Sequence, residues 1–255
     1  MNDVDCTHDV QRIFHLRSDI DSPKLVRLLG AWSGVPAEAP GTDVAERLGR
    51  WLNAFDAVGL QSAHQSIRGI RSAAVRTTAS AVSAEALAND VQRVRSTLAH
   101  AIAQDPVAFA IPKLVRSAPG APSALPTVAD AGYAPYQQRH FKLQRQMEQL
   151  IAPLRDHVRQ ALSQRSVPLR QLAALDAVLE QVLAPREETH LPAVATLLQR
   201  RFEQLRLAHQ QAAEPSAPPA DWRDGFRKEW TQALLAELDL RLEPVTGMVD
   251  ALANE

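Results

Sequence analysis

Glu187 and His190 stand three residues apart, a spacing that sets a carboxylate and an imidazole on one helix face, as in helical di-iron sites. That chemistry needs the element twice, with further inward carboxylates, whereas the sequence holds one copy in a polar stretch before Pro192. His8, His15, His64, His100, His140, His157 and His209 fall without ligand spacing, so no metal is expected. Cys6 is the one thiol, and a nucleophile needs an organised base and an oxyanion site, which an acidic N-terminal tail does not supply. A phosphate-cradling loop requires glycines ahead of a lysine and a hydroxyl residue, and none of Lys24, Lys113, Lys142 and Lys228 has that context. Gly-x-Gly-x-x-Gly, Gly-x-Ser-x-Gly and His-Glu-x-x-His patterns are missing as well. The reading is therefore of a non-enzymatic protein with no cofactor.

The arginines carry the remaining signal. From residue 57 to 84 there is no acidic side chain, yet Arg68, Arg71 and Arg76 occur. In a helix, steps of four and three place His64, Arg68 and Arg71 on one face, able to meet phosphates or an acidic protein surface. A second basic cluster, Arg139, His140, Lys142 and Arg145, opens a helix later in the chain. Arg68, Arg71, Arg76, His140 and Arg145 are the candidate partner-binding residues. Nucleic acid is the alternative partner, but its modules add aromatic stacking or a reading helix, and neither is evident.

These side chains sit in a chain of 255 residues with 45% hydrophobic and 5% aromatic residues and a formal net charge of -1. A disordered chain is excluded, and so is a global electrostatic pull toward nucleic acid or anionic membrane. A single cysteine excludes an intramolecular disulfide framework. No apolar run approaches the roughly 20 residues of a membrane span, and no basic-then-apolar leader opens the chain. The expected compartment is the cytoplasm, without membrane insertion.

The apolar residues are mostly Ala, Leu and Val at helical spacing, which predicts an all-α helical bundle. Ser22-Pro23 opens a helix with Leu25, Val26, Leu28, Leu29 and Trp32. Asp43 and Glu46 open a second, whose Val44, Leu48, Trp51, Leu52, Phe55 and Val58 should face a core. A third spans about 83 to 104 with Leu87, Val91, Val94, Leu98 and Ile102. Pro106, Pro112, Pro119, Pro122, Pro126 and Pro135 then forbid continuous helix, so 105–135 reads as a linker anchored by Tyr133 and Tyr136. It separates an N-terminal helical region, 1–104, from a C-terminal bundle, 136–255.

In that C-terminal half four antiparallel helices are expected. One carries Leu143, Met147, Leu150, Leu154, Val158 and Leu162, with a kink or break at Pro153; Pro168 starts the next, burying Leu172, Leu175, Leu179, Val182 and Leu183. Pro192 starts a third with Val194, Leu198 and Phe202; Asp221 caps a fourth with Trp222, Phe226, Trp230, Leu234 and Leu238, stopped by Pro244.

Several segments together resemble an uncharacterised family of bacterial helical proteins, a domain of unknown function. They are Leu25-Val-Arg-Leu-Leu29, Ala45-Glu-Arg-Leu-Gly-Arg-Trp-Leu52, Leu172-Ala-Ala-Leu-Asp-Ala-Val-Leu-Glu180, Leu198-Gln-Arg-Arg-Phe-Glu203 and Leu235-Ala-Glu-Leu-Asp-Leu-Arg-Leu-Glu-Pro-Val245. That family carries no assigned catalytic residues. Its association with genes for MotA/ExbB-like and OmpA-like proteins implies a cytoplasmic adaptor or accessory of an ion-driven MotA-like envelope complex.

Overall fold

A computed structural model of the chain describes residues 23–33, 54–70, 82–104, 132–211 and 222–255. Among them are six helices and no strand: α1 (Lys24–Ser33), α2 (Ala54–Gly69), α3 (Ala84–Ala103), α4 (Ala134–Ser163), α5 (Val167–Gln211) and α6 (Trp222–Ala253). The chain is all-α, as its composition and periodicity indicate. It divides into two units, residues 1–59 and 60–255.

In the first unit, α1 begins directly after Pro23, whose carbonyl accepts from the Arg27 N–H, and Leu25 is its buried residue. Of the second predicted helix, Val44, Leu48, Trp51 and Leu52 lie outside the described residues. Val58 does not face a core; it is 67% exposed.

The second unit holds a bundle of α3, α4, α5 and α6. Ser83 starts α3 in extended conformation, its hydroxyl accepting from the Ala86 N–H at 3.1 Å, while Glu85 complements the helix dipole. Leu87, Leu98 and Ile102 then recur on one fully buried face. At one end of the bundle Arg165 of the α4–α5 turn donates to the Val82 carbonyl, and the Ser166 N–H to Glu255. Toward the other end Arg139 donates to the Ala101 carbonyl and Tyr136 packs on Trp230. These contacts fix the directions: α4 and α6 run parallel, and α3 and α5 run opposite to both. Each of α4 and α6 packs against the other three, so this pair is the centre of the bundle.

The helix count differs from the sequence expectation. Among the described residues the C-terminal half supplies three helices, because Pro192 does not start a new one; α5 runs 45 residues through Pro185 and Pro192. The fourth member is α3, from before the proline-rich stretch, whose residues 105–131 lie outside those described. Likewise Pro153 leaves α4 continuous and Pro244 does not stop α6. An interior proline removes one backbone hydrogen bond and costs about 3 kcal/mol. Beyond Pro244, however, Val245, Met248, Val249 and Leu252 are all buried, at roughly 1.5–3 kcal/mol each. Burial wins, and the helix continues.

Candidate functional site

The end of α2 carries Leu60, Ala63, His64 and Ile67, an i, i+3, i+4, i+7 series on one face. The start of α5 carries Pro168, Gln171, Leu172 and Leu175 in the same series, extended by Val178. Pro168 is tolerated there because the first turn of a helix has no use for its missing N–H. The two stripes face each other across a half-open groove of about 350 Å³, and the Gln171 side-chain amide ties them by donating to the Ile67 carbonyl at 3.2 Å. Among the described residues of the lining, His64 and Gln171 are the polar members, and none carries a carboxylate, thiol or hydroxyl. General acid–base or nucleophilic catalysis needs paired groups within about 3 Å. This lining holds apolar surface instead, and Leu175 is 42% exposed in it.

Leu175 is exposed because α5 turns a different face to the bundle. Leu169, Ala173 and Asp176 are its buried residues here, in place of the expected Leu172, Leu175 and Leu179. Asp176 accepts from Arg155 Nε and Nη2 at 2.8 and 2.7 Å and from Arg159 Nη1 at 3.0 Å, and Glu180 also bonds to Arg159. Arg159 further pairs with Asp156 on its own helix. Two guanidinium groups one turn apart on α4 thus clamp two carboxylates one turn apart on α5. The clamp directs the Asp176 side of α5 inward and leaves the leucine stripe to the groove.

A second polar cluster joins α4 to α6. His140 is fully buried, its Nε2 lies 4.0 Å from Glu237 Oε2, and neither ring nitrogen has a hydrogen-bond partner. Glu237, also buried, accepts from Gln144 Nε2 at 3.1 Å and Arg241 Nε at 3.0 Å, which takes up its charge. Burial, and then the Arg241 charge, pushes the His140 imidazole down to about 4 from the ordinary 6.5. Because the folded state holds the neutral ring, its contribution to stability is full above pH 6.5 and is lost as pH falls toward 4. The full loss corresponds to roughly 3 kcal/mol. Urea unfolding of the wild type and of His140→Phe should therefore diverge by most of that amount between pH 7 and pH 4. Parallel decline of the two would show that the imidazole is not the cause.

Of the candidate partner-binding residues, Arg68 is exposed in the last turn of α2, beside Ile67 and one turn from His64. It makes no ion pair or hydrogen bond among the described residues. Arg145 is exposed on the outer face of α4, with Lys142. His140 must be withdrawn from any such surface: it lies three residues from buried Leu143 and four from buried Tyr136, on the core stripe. Arg139 is likewise turned inward, donating to the Ala101 carbonyl and Gln104 Oε1. Arg71 and Arg76 lie outside the described residues. Glu187 and His190 are exposed on α5, and no cluster of three metal-ligating side chains occurs among the described residues. Sequence reading missed both the groove and the clamp, although Arg155/Arg159 and Asp176/Glu180, at i, i+4 on successive helices, carry the signal for the clamp.

A family model described as "Protein of unknown function (DUF3348)" matches residues 14–254 of the chain. No curated protein and no solved structure matches it.

Proposed function

The chain belongs to that DUF3348 family, whose description carries no activity, and from its own geometry we propose a non-enzymatic helical adaptor that binds another protein through the α2–α5 groove. The observation that carries this reading is the groove: an apolar channel with exposed Leu175, flanked by Arg68, in a bundle whose own core is already closed around α4 and α6. Covering Leu175 and its neighbours with a partner's apolar side chains would remove that surface from water, which favours association. On the gene company of the family it resembles, the partner is the cytoplasmic part of a MotA-like membrane protein, and the adaptor works in the cytoplasm. None of the described helices is long and apolar enough to cross a membrane.

Co-purification of the tagged chain with its native operon, under conditions that preserve membrane complexes, tests the reading. Wild-type chain should bring down the MotA-like component. Leu175→Asp should lose at least about tenfold of the recovered partner, because a buried carboxylate in an apolar contact costs more than 1.4 kcal/mol. Position 175 is outside the bundle core, so the variant should keep its helical circular dichroism. Recovery of the wild-type chain alone, or equal recovery with the variant, contradicts the proposal. The second reading, a nucleic-acid-binding regulator, rests on Arg68 with Arg71 and Arg76. It requires a salt-dependent mobility shift that weakens when the three become Glu.

A further inference from the structure

We infer that the occupant of the α2–α5 groove is an amphipathic helix whose apolar stripe is flanked by carboxylates. The inference rests on the adaptor reading and adds the chemistry of the partner.

The shape selects a helix. Each wall presents an apolar stripe from i to i+7, Leu60 to Ile67 and Pro168 to Leu175, which spans roughly 10 Å along a helix axis. A third helix laid between them offers anchors at the same i, i+3/i+4, i+7 spacing. The other common peptide modes lack their receptor. Strand addition needs an exposed sheet edge, and the described residues contain no strand. Polyproline recognition needs an aromatic-lined channel, and the described residues of the lining include no Phe, Tyr or Trp. A small apolar ligand is normally enclosed over 70–90% of its surface, which a half-open groove does not do.

The charge selects carboxylates. Among the described residues the lining contains no acidic side chain, and Arg68 is exposed in the last turn of α2, next in sequence to Ile67 of the lining and four residues after His64. Asp176 and Glu180, the α5 carboxylates nearest in sequence to the lining, are held by Arg155 and Arg159 and do not neutralise that rim. An incoming helix with Glu or Asp beside its anchors meets uncompensated positive charge, whereas one flanked by lysines meets repulsion. The rim sets preference, and the leucines set affinity.

Fluorescence anisotropy with the full chain and labelled helical peptides of about four turns tests this. All peptides carry Leu at i, i+3, i+4 and i+7 and differ only in Glu or Lys flanks. The Glu-flanked peptide should bind about tenfold tighter at low salt, with the preference shrinking at high salt. Arg68→Glu should erase or reverse the preference while leaving circular dichroism unchanged, and Leu175→Asp should abolish binding of both peptides. Equal affinity for the two peptides, a preference for Lys, or a preference unmoved by Arg68→Glu overturns the inference. So does Leu175-dependent binding to phosphatidylcholine vesicles with no binding to either peptide, which would assign the groove to lipid. If the native partner is still captured through Leu175 while no flank preference exists, the carboxylate inference fails and the adaptor reading stands. Loss of capture itself is the failure of that reading.

Discussion

Phe226→Ala should destabilise the chain by about 3–5 kcal/mol, read as a fall in the urea midpoint at unchanged slope. The ring is fully buried and meets Tyr136 and Phe202 edge-on, each with centroids 5.0 Å away, and Tyr133 at 6.2 Å. Truncation removes the transfer energy of a whole phenyl group and leaves a cavity between α4, α5 and α6, which those rigid neighbours cannot fill. The effect should exceed that of a neighbouring substitution that keeps an aromatic ring and removes less volume. Trp230→Phe is that control, because the Trp230 indole N–H has no hydrogen-bond partner and its loss forfeits no bond. It should cost less than Phe226→Ala, because a smaller void is left. A comparable loss for both would mean that the cluster is held by more than packing.

Asp176→Ala is the second large effect, expected at about 3 kcal/mol. The carboxylate is 7% exposed and receives three hydrogen bonds from Arg155 and Arg159, so its removal leaves two guanidinium groups short of charge at a half-buried interface. The clamp as a whole contributes far less than its parts suggest, since burying its ions costs nearly what their attraction returns. Replacing Arg155, Arg159 and Asp176 together by Met, Met and Leu should restore most of the stability lost by the single variant. The same triple variant should weaken partner capture, because nothing then directs the Asp176 side of α5 inward in preference to Leu172 and Leu175. Undiminished capture by a stable triple variant would separate the clamp from the groove.

The aromatic cluster was legible in the sequence and the clamp's consequence was not, for physical reasons. Phe202, Phe226 and Trp230 recur at helical spacing among small residues, and large apolar side chains at that period have one stable destination. Tyr133 and Tyr136 follow the same rule at the start of α4, where Tyr133 also donates to the Ala195 carbonyl at 2.8 Å. Around Leu172 periodicity misleads, because leucines and an aspartate compete for the inner face and apolarity alone favours the leucines. Two arginines on another helix decide the contest for Asp176, and tertiary pairing of that kind has no trace in a single helix's period. His140 was misplaced for a related reason. Its basic neighbours, Arg139, Lys142 and Arg145, suggest a solvated face, while its i+3 relation to Leu143 and i−4 relation to Tyr136 put it on the core stripe. Pro153 and Pro244 show where breaker logic fails: it is correct for isolated helices and wrong where buried residues on both sides, Ile151 and Leu154 or Leu242 and Val245, outweigh one lost hydrogen bond.

Backbone hydrogen exchange of the chain with and without its co-purified partner reads directly whether a partner protein occupies the α2–α5 groove. Exchange should slow at 60–69 and 168–178, with the outer face of α4 around Lys142 and Arg145 unchanged. Slowing confined to that outer face, or none at 60–69 and 168–178 in a complex that demonstrably persists, would contradict it.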